Sequence, residues 1–197
     1  LTTVCCLLIS ILGSYAMTRL KYPGRRFFKT SIIFSYLIPT AVLFVPMYVF
    51  VSKLGFYDNK WALLIIYPTT VVPYCCYMLM SYFKAIPYAL EEAALIDGCT
   101  RMKSLRYIIT PIALPGIAVV ATFAFTMSWN EYLYAMIMTT SPAQQTAVVA
   151  ISSFKYADSA IWGRIMAASV LTSLPVTIIY IVAQAQLISG KSDGSVK

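Results

Sequence analysis

Side chains able to do chemistry are few in this chain, and they gather in two short stretches. Its 197 residues include seven Asp or Glu, fifteen Lys or Arg and no histidine. The stretch 88–116, YALEEAALIDGCTRMKSLRYIITPIALPG, has three acidic residues followed by three basic ones, and the stretch 128–132, SWNEY, contains Glu131. With no histidine to act as a base or a metal ligand, and no pair of acids inside an apolar run, the sequence favours neither an enzyme nor a metal site.

Two further kinds of chemistry have no support in the sequence. The five cysteines, Cys5, Cys6, Cys75, Cys76 and Cys99, lack C-x-x-C spacing, and the adjacent pairs lie in apolar runs where cysteine packs as a small apolar residue. There is also no glycine-rich phosphate-binding loop. Any nucleotide chemistry must therefore belong to another chain, and we expect this chain to hold no cofactor of its own.

The composition is that of a membrane protein. Hydrophobic residues make up 60% of the chain and charged residues 11%, whereas an ordinary soluble domain has about 25% charged residues. A formal charge of +8 could also suggest nucleic-acid binding, but the Lys and Arg residues fall between apolar runs rather than through polar segments. The positive charge therefore indicates membrane topology, and we expect contact with lipid and none with nucleic acid.

Apolar stretches long enough to cross a bilayer must position the two polar stretches. A helix needs about 20 mainly apolar residues to cross the hydrocarbon core. Four stretches meet this length, and a fifth, at the start of the chain, is borderline: 31–51, 61–82, 111–140, 165–188 and 1–17. The predicted fold is therefore all-α, a single domain (1–197) built as a bundle of transmembrane helices. Prolines inside or at the ends of these stretches, Pro39 among them, predict bends.

Basic residues are distributed unequally about these spans, which predicts their orientation. Eleven of the fifteen lie on one side: Arg19, Lys21, Arg25, Arg26, Lys29, Lys84, Arg101, Lys103, Arg106, Lys191 and Lys197. The other four lie on the opposite side: Lys53, Lys60, Lys155 and Arg164. Because cytoplasmic loops carry the excess of Lys and Arg, the loop 84–110 and the C-terminus are predicted to be cytoplasmic. The first span then starts outside without a basic leader, so we expect an N-terminal truncation and a sixth, preceding span.

The stretch 88–116 predicts a short helix between two spans. Pro87 suits the first turn of a helix and Gly98 its C-terminal cap. Glu91 and Glu92 lie near the positive N-terminal end. A helical projection places the alanines and Ile96 on one side of this helix and Glu91 on the other. The segment is either a surface linker or a docking element, and its length of about 27 residues, with its own caps, favours docking.

The same stretch matches a known pattern, E-A-A, three residues, Gly, nine residues, I-x-L-P. The matching residues are Glu92, Ala93, Ala94, Gly98, Ile108 and Pro111, with Thr110 where the pattern has Leu. This resembles the EAA signature of the membrane subunits of binding-protein-dependent ABC importers. The segments YAMTRLKYPGRR, IPTAVLFVPMYVFVSKLGFYDN, IPYALEEAALIDGCT, SWNEYLYA and LISGKSDGSVK resemble the carbohydrate-uptake branch, the maltose-transporter-type permeases of the second-subunit kind. The resemblance covers nearly the whole chain.

This resemblance implies the fold of an ABC type I importer permease, in which residues 84–110 form a coupling loop that seats in a cleft of the cytoplasmic ATPase. The coupling residues it implies are Glu91, Glu92, Ala93, Ala94, Asp97, Gly98 and Pro111. The acidic ones would pair with basic groups of the ATPase. A bulky residue in place of Gly98 is expected to impair coupling more than folding.

The resemblance further implies a transport subunit rather than an enzyme, importing a sugar, oligosaccharide or polyol across a bacterial or archaeal cytoplasmic membrane. The expected partners are a second related permease, two ATP-binding subunits that hold the ATP, and an extracytoplasmic solute-binding protein. The alternative is a secondary transporter driven by an ion gradient. Such a transporter would need acidic groups near the midplane of the membrane, and Glu131 is the one acid within the predicted spans.

The stretch SWNEY allows two interpretations. The Trp129 ring could stack on a sugar, while the Asn130 amide and the Glu131 carboxylate could bond to sugar hydroxyls. However, Glu131 lies about 17 residues into its span, close to the outer headgroups, where a charge costs less. That position favours a structural or gate role, and the sequence leaves both interpretations open.

Overall fold

Helices account for the regular secondary structure in the two ranges that the computed structural model describes, residues 1–154 and 162–192. Their bounds, in chain order, are α1 Thr2–Arg19, α2 Arg25–Leu37, α3 Thr40–Lys53, α4 Ala62–Ala85, α5 Tyr88–Ile96, α6 Arg101–Ser104, a π-helical turn Leu105–Ile109, α7 Thr110–Ile112, α8 Leu114–Trp129, α9 Leu133–Met138, α10 Ala147–Ser153 and α11 Trp162–Ser192. Side chains are described as far as residue 184. The predicted all-α class is confirmed within these ranges.

Three of these helices are long and apolar enough to cross a membrane: α1, α4 and the part of α11 from Trp162 to Gln184. Two further pairs pass the same test together but are bent, α2 with α3 by 101°, and the segment Arg101–Ile112 with α8 by 83°. If each bent pair is one crossing, the described residues contain five spans, which is the number that the sequence predicts.

The centre of the bundle is the seam between α1 and α4, two helices that run in the same direction. Ser14 Oγ donates a hydrogen bond to the carbonyl of Cys76 at 3.1 Å near mid-helix, and Arg19 donates to the carbonyl of Ile86 at 2.6 Å beyond the end of α4. Cys75 is fully buried in the same seam. Small side chains therefore let the two helices approach closely, which is the packing role predicted for the paired cysteines.

The predicted span 31–51 is not one straight helix. The helix α2 ends at Leu37, the backbone of Ile38 is extended (φ −74°, ψ 122°), and α3 starts after Pro39. The ring of a proline disfavours helical backbone in the residue before it, so Ile38 leaves the helix and the chain turns. By contrast, Pro46 and Pro175 remain inside continuous helices, so of these three prolines only Pro39 interrupts its span.

The predicted span 111–140 is also interrupted at both ends. At its start, Pro111 lies in α7, and the chain bends by 83° before α8. At its far end, α8 stops at Trp129 and a separate short helix, α9, begins at Leu133. The intervening residues include Asn130 and Glu131, whose polar side chains make the helix ending favourable at this point.

The two ends of the bundle differ in charge. Among the described residues, nine basic side chains lie near the end that carries α5, which we call the α5 end. At the opposite end the loops 54–61 and 139–146 meet, and the Ser141 amide donates to Asp58 Oδ1 at 2.8 Å. Hydrogen bonds from Ser141 lower the pKa of the Asp58 carboxyl. Lys155 and Lys197 lie outside the described residues, and the side chain of Lys191 is not described.

Candidate functional site

The helix α5 is the short helix that the sequence predicts between two spans. It begins after Pro87, whose backbone is extended (φ −57°, ψ 135°), and ends at Ile96. Its backbone packs mainly against the segment that follows it, α6 and the π-helical turn. The helix thus projects at one end of the bundle, with little of its backbone held against the spans.

Gly98 closes α5 with a left-handed turn. Its φ is +83°, a conformation that costs an L-residue roughly 1–2 kcal/mol and glycine very little. The Gly98 amide donates to the carbonyl of Leu95 at 3.2 Å, and the Cys99 amide donates to the carbonyl of Ala94 at 2.9 Å. These two bonds form a Schellman motif, which ends the helix at the predicted cap. A Cβ at Gly98 would meet no atom of the described residues within 4 Å, so among these residues the space beside this turn is open.

One side of α5 and its turn is uncovered, and we call it the α5 outer face: Ala89, Glu92, Ala93, Ile96, Asp97 and Gly98. Ile96 is 85% exposed, more than any other large apolar side chain of the described residues. The exposed apolar side chains of the spans can contact lipid, but Ile96 belongs to a polar loop helix. An uncovered apolar residue on the same side of a helix as two small alanines is typical of a surface that another protein covers.

Glu91 lies on the side of α5 opposite Ala89, Ala93 and Ile96, as the helical projection predicts. It is 3% exposed and shares the inner side of α5 with Tyr88 and Ala94. Its carboxylate therefore faces the spans in this arrangement, and its pairing with an ATPase stays a prediction. Its carboxylate accepts a hydrogen bond from the Tyr15 hydroxyl of α1. Arg101 Nη1 lies 3.6 Å from Glu91 Oε1. The projection shows which residues share a side of α5, but it could not show that α1 offers a polar partner to Glu91.

Arg19 belongs to the surroundings of Glu91 and is a residue that sequence reasoning missed. The sequence indicates only on which side of the membrane Arg19 lies, whereas in the structure it is the last residue of α1 and only 5% exposed. Its Nε lies 3.9 Å from Glu91 Oε2, and its guanidinium covers the Tyr88 ring at 4.2 Å. The spacing of Tyr15 and Arg19, four residues apart on one helix face, was the available signal.

Pro111, the last residue of the EAA pattern, is not part of the α5 outer face. It lies in α7, beyond the π-helical turn whose Leu105 and Ile109 are buried in the core with α1, α4 and α8. Proline lacks the amide that would bond to the carbonyl four residues earlier, and a wider π turn accommodates this loss. Pro111 therefore shapes the entry into α8, and its part in coupling stays a prediction.

The stretch SWNEY lies at the break between α8 and α9. Both carboxylate oxygens of Glu131 accept hydrogen bonds from the start of α9, from the Tyr134 amide at 2.9 Å and the Ala135 amide at 3.1 Å. The carboxylate thus caps α9, as side-chain oxygens commonly cap helix N-termini. This geometry is that of the structural role which the sequence left open.

A partly polar cavity of about 350 Å³ adjoins this break. Asn130 and Glu131 line it together with Thr40, Thr70 and Tyr67, and the buried Tyr67 hydroxyl has no hydrogen-bond partner among the described residues. Such a cavity has room and polar groups for part of a hydroxylated solute.

Trp129 does not line this cavity. Its indole N–H donates to the carbonyl of Thr172 in α11 at 3.0 Å, and its ring stacks on Phe125 with 5.3 Å between ring centroids. The three residues of the predicted substrate path are thus separated: two face the cavity, and Trp129 holds α8 to α11.

Comparison with known proteins identifies the fold. Residues 9–191 match the family model described as the inner membrane component of binding-protein-dependent transport systems. The chain belongs to this family. The predicted family is therefore confirmed, and the protein is a permease subunit of an ABC transporter rather than an enzyme.

Curated relatives of this permease match it over its whole length. The inner membrane ABC transporter permease protein YcjP of Escherichia coli is 37% identical over 196 residues, which are 100% of this chain and 70% of that protein. The trehalose/maltose transport system permease protein MalG of Thermococcus litoralis is 33% identical over 198 residues, 100% of this chain and 71% of that protein. These relatives are transporter permeases, and nothing in them favours the alternative of a secondary transporter.

Solved structures share the fold of this permease. A chain of a bacterial ABC transporter that imports the acidic polysaccharide alginate matches with a TM-score of 0.75 and 22% identity, over 93% of this chain and 72% of that chain. A chain of the methionine ABC transporter MetNI, in an inward-facing conformation, matches with a TM-score of 0.68 and 17% identity, over 96% and 93% of the two chains. The arrangement of helices is therefore that of ABC importer permeases.

Proposed function

We propose that this permease uses the α5 outer face to bind the ATPase of a sugar importer and to pass ATP-driven movement to its spans. The observation that carries the proposal is Ile96, which is 85% exposed on the same side of α5 as the exposed Ala89 and Ala93, a side that the spans do not cover. Small residues around one apolar side chain let another backbone approach closely, as a helix seated in a cleft requires. Glu92 and Asp97, both exposed, are placed to pair with basic groups at its rim.

The complex that we propose contains this permease, a second related permease, two ATP-binding subunits and an extracytoplasmic solute-binding protein. ATP would be bound by the ATP-binding subunits, and this chain would hold no cofactor. The excess of basic residues at the α5 end supports a cytoplasmic position for this end and for the C-terminal end of α11. Closure of the ATPase pair would then move α5 and open the spans alternately to either side.

We propose a sugar, oligosaccharide or polyol as the solute. Support comes from relatives at 30% identity or more whose names specify such solutes, trehalose/maltose in Thermococcus litoralis and sulfoquinovosyl glycerol in Agrobacterium fabrum. The cavity at the break between α8 and α9 supports a route past Asn130 and Tyr67, since amide and hydroxyl groups suit a hydroxylated solute.

The docking surface is tested by Ile96→Asp in the full complex, purified in detergent from its native membrane. A charge at the centre of the α5 outer face would need to be desolvated on binding, so the ATPase should no longer co-purify. The control is Leu54→Asp, the same change at a residue that is 52% exposed at the opposite end of the bundle. Retention of the ATPase by Ile96→Asp, at the level seen with Leu54→Asp, would rule out docking through this face.

The solute class is tested on the same complex in proteoliposomes. ATP hydrolysis is measured with the co-purified binding protein and a panel of monosaccharides, oligosaccharides, polyols and amino acids. Stimulation by one carbohydrate or polyol is the expected result. Stimulation by an amino acid alone would contradict the proposed solute, and uptake that follows a sodium or proton gradient without ATP would contradict the proposed mechanism.

A further inference from the structure

Glu91 is the one acidic residue of α5 that faces the spans. Its neighbour Glu92 is exposed, whereas Glu91 is 3% exposed and surrounded by Tyr15, Arg19 and Arg101. Burial of a carboxylate is costly unless hydrogen bonds and opposite charges compensate it. An apolar residue of similar size could fill the same space, so the stability of the fold alone does not account for a glutamate here.

Arg19 connects this carboxylate to a second span. Besides approaching Glu91, its guanidinium donates to the carbonyls of Phe83 and Ile86 at the end of α4. Tyr88 of α5 adds a further link, because its hydroxyl donates to the carbonyl of Thr18 in α1 at 2.8 Å. Side chains of α5 therefore contact the end of α1 directly and the end of α4 only through Arg19, although the backbone of α5 packs elsewhere.

Within the described ranges, several polar atoms of Glu91 and Arg19 lack hydrogen-bond partners, as expected where side chains exchange partners during a movement. Glu91 Oε2 and two guanidinium nitrogens of Arg19 are buried without a hydrogen-bond partner among the described residues. The charged groups are 3.6 and 3.9 Å apart, longer than a direct hydrogen bond. A groove of about 820 Å³ lies beside them, lined by Arg19, Tyr88, Glu91 and Arg101. The carboxylate thus has several partners within reach and room to exchange them.

We propose that Glu91 is a positioning residue through which movement of α5 reaches the ends of α1 and α4. The outer face of α5 meets the ATPase, and the inner face, through Glu91, holds Tyr15 and Arg19. Displacement of α5 carries the carboxylate with it and pulls or releases both spans, since Arg19 is bonded to α4 as well as lying at the end of α1. This inference rests on the proposed docking of α5. It concerns a different residue, Glu91, and it is tested by the transport ratio rather than by co-purification of the ATPase.

The test compares Glu91→Gln and Glu91→Asp with the unmodified chain in the purified complex, reconstituted in proteoliposomes. The Gln variant keeps the size of the side chain and removes its charge, so we expect the ATPase to co-purify in normal yield. The amount of solute imported per ATP hydrolysed should fall at least tenfold. The Asp variant, which keeps the charge, should recover most of this ratio. An unchanged ratio in the Gln variant overturns the proposal, and so does loss of the ATPase from its complex.

A second variant guards against a general folding defect. Tyr15→Phe removes only the hydroxyl that bonds to Glu91 and should also lower the ratio, while Tyr15→Phe combined with Glu91→Gln should be no worse than Glu91→Gln alone. Additive losses would mean that the two residues act independently, against the proposal. Failure of the docking proposal is recognised separately, because Ile96→Asp would then retain the ATPase whatever Glu91→Gln does.

Discussion

The adjacent glutamates Glu91 and Glu92 have opposite environments on α5, and this difference separates contact with the spans from contact with a partner. Glu92 is exposed on the outer face. Because solvent screens charges there, an ion pair between Glu92 and a partner would add little to the binding affinity, but it would fix the orientation of the two proteins. Glu91 is buried among groups of α1 and of the segment after α5. The sequence pattern records both as acidic residues of one motif, and only the tertiary structure distinguishes a residue that faces the partner from one that faces the spans.

At Gly98, conformation and docking can be distinguished by two substitutions. Gly98→Ala should destabilise the turn by about 1 kcal/mol because φ is +83°. Gly98→Asn should cost less, because asparagine tolerates left-handed backbone, yet its side chain enters the open space beside the turn. If the ATPase approaches closely here, both variants should lose uptake, and only Ala should lower the unfolding temperature of the permease. Normal uptake by the Asn variant would show that Gly98 serves the turn alone.

At the break between α8 and α9, substitutions of Glu131 and Asn130 can separate a stabilising role from a transport role. Glu131→Ala removes both acceptors at the start of α9 and should lower the free energy of unfolding by about 1 kcal/mol, the usual cost of a lost N-terminal cap. Asn130→Ala, which removes a cavity-lining amide, should leave stability unchanged and reduce uptake. Thermal unfolding of the detergent-purified permease and transport in proteoliposomes measure the two effects. Equal stability of Glu131→Ala and the unmodified chain would argue against the capping role.

At the scale of elements, the helices follow from the sequence better than their interruptions do. The existence of α5 could be predicted because Pro87 and Gly98 act through local backbone preferences. The break at Ile38 was harder, since Pro46 and Pro175 sit inside continuous helices and proline content alone does not tell which will bend a span. The burial of Glu91 could not be predicted, because its partner Tyr15 is 76 residues away in the chain.

The packing of α8 on α4 provides a test at this scale. Gly116 lies against the Tyr82 ring, and a Cβ at this glycine would come within 2.5 Å of ring atoms. Gly116→Val should therefore separate the two helices and destabilise the permease by about 1–3 kcal/mol. Gly163→Ala, at a helical glycine whose Cβ position has no atom within 4 Å in the part of the chain that the structure describes, is the matched control and should be neutral or slightly stabilising. Equal unfolding temperatures for the two variants would contradict the close approach.

For the whole molecule, the charge distribution predicts which end of the bundle faces the cytoplasm. Cys99, half-buried just after α5, can report this in a Cys5→Ser background, because the other three cysteines are buried. A membrane-impermeant thiol reagent should label Cys99 in inverted vesicles and not in right-side-out vesicles. Ala143→Cys, at an exposed position of the opposite end, should show the reverse pattern in a chain whose Cys99 is also replaced by serine. Labelling of Cys99 from outside would overturn the predicted topology.

The parallel seam between α1 and α4 has a consequence for how the chain is made. Parallel helices cannot be joined by a short turn, so α2 and α3 must be synthesised and inserted between them. Arg19 and Ile86, which are bonded in the finished protein, are 67 residues apart. At a synthesis rate of about 5–20 residues per second, roughly 3 to 13 s pass between them. During this interval the hydroxyls of Ser10 and Ser14 and the guanidinium of Arg19 lack α4 as a neighbour. Biogenesis of α1 therefore depends on a later part of the same chain, or on an insertion factor that shelters α1 until that part arrives.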